Sequence, residues 1–97
     1  MTKEEIKEKI FKHKEILNKY NVKSIALFGS FVRSQQIKDS DIDFLIEFQE
    51  PTFDNYIGLL SELKKLFHRK VDLVSIKALK ERIKPYILAE AEWLKRR

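Results

Sequence analysis

Ile25-Ala26-Leu27-Phe28-Gly29-Ser30-Phe31-Val32-Arg33, followed by Asp41-Ile42-Asp43-Phe44-Leu45-Ile46-Glu47-Phe48, is the stretch on which the reading of this chain turns. An apolar, strand-like run enters a Gly-Ser turn, and twelve residues beyond Gly29 a second run begins in which charge and apolar side chains alternate. Successive side chains of a strand point to opposite faces. Ile42, Phe44, Ile46 and Phe48 therefore share one face, and Asp41, Asp43, Leu45 and Glu47 share the other. Two carboxylates are set side by side, roughly 7 Å apart along the strand, on a sheet whose opposite face is packed. Such a pair calls for a cation. Mg²⁺ ions carrying nucleotide phosphates are the obvious candidates, because hard divalent cations take oxygen ligands.

Working outward, Thr2-Lys3-Glu4-Glu5 reads as a capping box. Ile6, Ile10, His13, Leu17 and Tyr20 keep helical spacing, which predicts one amphipathic helix over residues 3 to 20. Residues 22 to 28 form a strand, a short helix starts after Ser30, and the alternating strand covers residues 42 to 48. Pro51 ends that strand. A helix follows over about 54 to 68, with Tyr56, Leu59, Leu60, Leu63, Leu66 and Phe67 as its inner stripe. Residues 70 to 75 make a third strand. A helical piece is expected over 78 to 83, and a final helix runs from Pro85, at home in a first turn, to Arg97. The order αβ(α)βαβα gives an α/β (α+β) fold: a small sheet flanked by helices, in a single domain spanning residues 1 to 97.

Composition narrows the function classes. The chain has 97 residues, 43% hydrophobic, which is enough for one modest core. The net charge of +5 is spread among interleaved Lys, Arg and Glu, the pattern of solvated helix faces. Two basic stretches, Lys77 to Lys84 and Lys95-Arg96-Arg97, are where an acidic partner would be felt. There is no cysteine, hence no disulfide frame or thiolate zinc site. No segment has the length and apolarity of a signal peptide or membrane span, so a cytoplasmic location without membrane contact is expected. The aromatic residues fall mainly on core positions and form no stacking platform, so direct nucleic-acid binding is not expected.

The chemistry that joins these parts is phosphoryl transfer. In-line attack on an α-phosphate builds negative charge on the non-bridging and leaving oxygens. Two Mg²⁺ ions roughly 3.5–4 Å apart can stabilise that charge, and an Asp-x-Asp pair on a rigid strand can bridge them. A Gly-Ser turn offers close backbone approach, free N–H groups and a hydroxyl to terminal phosphates. Asp72, in the third strand, is the one well-placed candidate for a third carboxylate; alternatively it pairs with Lys70 or Arg69. Arg33 either steadies phosphates or pairs with a carboxylate inside the fold. His13 and His68 are read as packing or capping residues. Tyr86 and Trp93, seven apart on the expected last helix, either close the core or belong to a partner surface.

Leu27 to Arg33 together with Ser40 to Ile46 resembles the signature of the polymerase-beta-like nucleotidyltransferase superfamily, and Val71-Asp72-Leu73-Val74 is similar to the third strand of its minimal nucleotidyltransferase (MNT) members. The resemblance extends from about Val22 to Leu94. It implies the fold of that superfamily, with Gly29, Ser30 and Arg33 on the nucleotide side. It also implies that Asp41, Asp43 and Asp72 are the catalytic acids and ligands of two Mg²⁺ ions, with ATP as substrate. MNT proteins act as antitoxins that transfer AMP to a tyrosine of a cognate HEPN-domain RNase toxin, which implies a hetero-oligomer with that toxin. One position departs from the pattern: Ser34 follows Arg33 where the family usually has Gly. The short chain leaves no room for an acceptor platform of its own, so the acceptor surface is expected from another chain or a second copy. Two other functions fit the same residues: an antitoxin that masks its toxin without catalysis, and the catalytic subunit of a small-molecule nucleotidyltransferase.

Overall fold

The computed structural model describes residues 1–96; Arg97, with the end of the expected last helix and of the basic terminus, lies outside them. Four strands form one mixed sheet in the order β3-β2-β1-β4, where β1 is Val22–Phe28, β2 Ile42–Phe48, β3 Val71–Ser75 and β4 Glu92–Lys95. β1 is antiparallel to both β2 and β4, and β2 is parallel to β3 through helix α3, Phe53–Phe67. The sheet is thus a central antiparallel pair, β1 and β2, with a parallel neighbour on the β2 side and an antiparallel one on the β1 side.

The alternation in β2 sorts the sheet into two faces. Ile42, Phe44 and Ile46 join Ile25 and Leu27 of β1, Val71 and Leu73 of β3 and Leu94 of β4 in the core, under Ile6, Ile10, Leu17, Leu59, Leu63 and Phe67 from the helices. Burying each of these large aliphatic or aromatic side chains contributes about 1.5–3 kcal/mol. The other face carries Asp43 and Asp72. There Leu45 is also fully buried, beside Ala26 and Val74 in the register, so the acid face is only partly solvated.

Four expectations are corrected. The first helix is broken at His13 into α1, Lys3–Lys12, and α2, Lys14–Lys19, and His13 is a half-exposed junction residue. The capping box at Thr2 and Glu5 is present as read. The turn after β1 is a 3₁₀ turn over Gly29–Phe31, so it includes the Gly-Ser pair. No helix covers residues 78 to 83; a 3₁₀ turn occupies Ile76–Ala78 instead.

The last correction changes the topology. The terminal helix stops early: α4 is Lys84–Glu90, with Pro85 in its first turn, and Ala91 is extended. The chain then pairs with β1 as β4. Local propensity in Ala-Glu-Ala-Glu-Trp-Leu-Lys is helical, but the edge of β1 presents unpaired N–H and C=O groups, and pairing them outweighs that preference. Glu92 fastens the strand to α1 through Lys3, at 2.8 Å, and Lys7, and these two ammonium groups hold its carboxyl below the usual range. Tyr86 and Trp93 therefore do not share a helix. Tyr86 is 76% exposed, while Trp93 lies in β4 under the guanidinium of Arg96, 4.9 Å from the ring centroid.

Candidate active site

The site is built where β1 ends beside the start of β2 and β3. Asp43 stands opposite Phe28 in the antiparallel pair and opposite Asp72 in the parallel pair. Adjacent strands lie about 4.8 Å apart, so the sheet places the two carboxylates as next-strand neighbours. Asp41 precedes Ile42 and follows the same alternation, two residues from Asp43. The three acids predicted from the sequence thus converge at one corner of the sheet.

Electrostatics records the convergence. Asp43 has its pKa raised from 3.8 to about 6, first by burial, then by the charges of Asp72 and Asp41 and a hydrogen bond with Asp72; Arg33 acts in the opposite sense. Each cause of the rise disfavours the anion. Asp41 is partly compensated, because Lys70 Nζ lies 3.8 Å from its Oδ2. The lysine that could have paired with Asp72 therefore faces Asp41, and Arg69 donates instead to the Ser40 carbonyl, at 3.2 Å, and stacks over Phe31. Among the described residues, no three acidic or histidine side chains already stand together as a metal cage. The donors themselves are all carboxylate oxygens beside a carboxyl that two neighbouring anions disfavour as an anion, and this set suits a hard divalent cation such as Mg²⁺.

Gly29 makes the turn possible. Its φ of +80° is open to glycine at little cost, and a Cβ there would lie 2.4 Å from Asp43 Oδ2. Backbone and carboxylate are in close approach, and a Cβ at position 29 would force the Asp43 side chain to shift. Ser30 follows in the same turn, and its carbonyl accepts from Gln35 N–H at 2.9 Å. Ser34, the departure noted above, has φ +57°, a left-handed conformation that glycine adopts at lower cost than serine.

Arg33 is paired with a carboxylate of the fold: its Nη1 donates to Glu90 Oε1 at 2.9 Å. Glu90 also accepts from the Gly29 N–H, at 3.4 Å. Sequence reasoning missed Glu90, which comes from the C-terminal end of α4. The sequence carried no signal for it, because a helix expected to run on to Arg97 leaves Glu90 in mid-helix, whereas in the structure α4 ends there. His68 only ends α3, in a left-handed conformation.

Comparison with known proteins now bears on this geometry. The family model described as "Polymerase beta, Nucleotidyltransferase" matches residues 8–97. The chain belongs to that family. This nucleotidyltransferase is 46% identical over 95 residues to a candidate protein adenylyltransferase of Methanocaldococcus jannaschii, covering 94% of this chain and 92% of the relative. It is 36% identical over 96 residues to the protein adenylyltransferase MntA of Thermococcus cleftensis, covering 97% of both chains. Among solved structures, a minimal nucleotidyltransferase superimposes with a TM-score of 0.80 at 28% identity over 94% of each chain. A toxin–antitoxin complex solved with AMP-PNP shares the fold, with a TM-score of 0.73 at 22% identity over 94% of this chain and 73% of that one. The enzyme class expected from the Gly-Ser and Asp-x-Asp motifs is therefore the one its family carries.

Proposed function

We propose that this nucleotidyltransferase is a Mg²⁺-dependent protein adenylyltransferase that moves AMP from ATP to a tyrosine of a cognate HEPN-type toxin and thereby silences it. The observation that carries the reading is the parallel register that sets Asp72 beside Asp43 at the mouth of the Gly29 turn. The names of the relatives support the adenylyl group, and the toxin–antitoxin complexes among the structural neighbours support a toxin as acceptor.

In this reading Asp41, Asp43 and Asp72 hold two Mg²⁺ ions, which when bound neutralise the phosphates and the charge that builds on the leaving pyrophosphate. Gly29 and Ser30 receive the terminal phosphates with backbone N–H groups and a hydroxyl. The tyrosine oxygen forms a bond to the α-phosphorus as the bond from that phosphorus to the bridging oxygen of the β-phosphate breaks, and pyrophosphate departs. Asp72, exposed on the edge strand β3, is the carboxylate placed to accept the tyrosine proton.

Incubation with the protein encoded by the neighbouring gene, ATP and Mg²⁺ tests this. Intact mass spectrometry is expected to show added AMP on that protein, lost with Asp41→Asn/Asp43→Asn. No adduct with the unaltered enzyme, or an equal adduct with the double variant, rejects catalysis. Full protection of cells by the double variant would assign neutralisation to masking alone.

A further inference from the structure

Two groups at the end of β1 suited to recognise an anion, the Gly29 N–H and the Arg33 guanidinium, both point at one oxygen. That oxygen is Glu90 Oε1, at 3.4 and 2.9 Å. Glu90 is separated from them by 61 and 57 residues and arrives as the last residue of α4. A carboxylate at a helix C-terminus meets the negative end of the dipole, and here it also stands next to a corner already holding Asp41, Asp43 and Asp72. Its position is favoured by neither its own helix nor its surroundings; what it gains is the pair of donors.

We propose that the Glu90 carboxylate is an internal stand-in for a phosphate oxygen, seated on the Gly29 N–H and Arg33 in the nucleotide-free protein and displaced when a nucleoside triphosphate binds. The inference rests on the nucleotide reading above and adds a residue that sets affinity. The Gly29 N–H carries a single hydrogen, so a phosphate oxygen that takes it must displace Glu90 Oε1 from it, and the like charges then push Glu90 away from Arg33, whose remaining N–H groups can turn to the triphosphate. The Arg33–Glu90 pair is partly open to water, and such pairs are weak enough to exchange. Glu90 acts on the ligand through charge and through the donors it occupies. It is a specificity-determining residue, and it selects for ligands that bring several phosphate oxygens at once.

The test compares the full chain with Glu90→Gln and Glu90→Ala at neutral pH in the presence of Mg²⁺, by calorimetric titration with a non-hydrolysable ATP analogue, inorganic triphosphate and adenosine. Both variants are expected to bind the two triphosphates about three- to tenfold more tightly, the scale of a weak ion pair, with adenosine unchanged. Binding that is equal or weaker in both variants, while the unaltered chain binds, overturns the proposal and leaves the nucleotide reading standing. Failure of the unaltered chain to bind either triphosphate rejects both. A second measurement does not depend on the variants folding. The chain has two glycines, so ¹⁵N-glycine labelling gives two backbone signals, Gly29 and Gly58. Inorganic triphosphate is expected to shift the Gly29 signal and spare Gly58; a bound triphosphate that leaves Gly29 unmoved refutes the displacement.

Discussion

Replacing Asp43 by Asn is expected to stabilise the protein at neutral pH while abolishing nucleotidyl transfer. The folded carboxyl titrates at about 6, against 3.8 in the ordinary state. Between those values the folded chain holds a proton that the unfolded chain has released, so stability falls as pH rises through the window and levels off above it. At 1.36 kcal/mol per pH unit the span corresponds to about 3 kcal/mol, and solvent screening of a partly exposed carboxyl reduces this to about 1–2 kcal/mol. An amide at position 43 has nothing to titrate and still reaches Asp72 with a donor. Urea unfolding followed by circular dichroism, in buffer containing a chelator, should therefore give nearly equal stabilities for the two proteins near pH 4. By pH 8 the variant should lead by about 1–2 kcal/mol. Millimolar Mg²⁺ should reverse the order, because a ligand at 100 times its Kd adds about 2.7 kcal/mol to the protein that binds it. An Asn variant that is less stable at pH 8 without metal, or a difference that stays constant from pH 4 to pH 8, would refute the crowding of charge at this corner.

Three further outcomes follow from the same structure. Gly29→Ala should cost about 1–2 kcal/mol for the positive φ alone and more from the clash with Asp43; in an Asp43→Ala background only the backbone cost should remain, and equal losses in both backgrounds would contradict the contact. Ser34→Gly should raise stability by about 1 kcal/mol in chemical unfolding, since the left-handed backbone is relieved; a loss would show that the Ser side chain contributes more than the strain removes. Leu94→Ala should cost about 2–4 kcal/mol because Leu94 is a buried core residue of β4. A change below about 0.5 kcal/mol, the size seen at surface positions, would argue that β4 is not docked.

The sequence was informative wherever a local pattern and the tertiary environment agreed. In β2 the apolar side of the alternation is the core side, and its other side holds Asp43, so the sheet's two faces and one candidate acid were legible in the same seven residues. The stripe on α3 was equally direct, with Leu59, Leu63 and Phe67 buried. β4 was not legible because its helical preference is local, whereas the open edge it satisfies is set by β1, more than sixty residues earlier. Glu90 escaped for a related reason: one acid among fifteen acquires meaning only when α4 brings it to Gly29 and Arg33. The break at His13 is a subtler case, since Ile10, Leu17 and Tyr20 still pack inward although the helix between them is interrupted.

The pairing of Asp43 with Asp72 has a consequence for how such sites can be found. The 28 residues between them pass through α3, so the length of that passage does not enter the distance between the two carboxylates; the ladder from Ile42–Val71 to Ile46–Ser75 sets it. α3 and its loops can lengthen without parting the acids, but one residue gained or lost between Lys70 and Asp72 would turn the carboxylate into the core. A search for kindred chains should therefore leave the gap free and fix the parity: an acid on each strand, both out of phase with the buried positions.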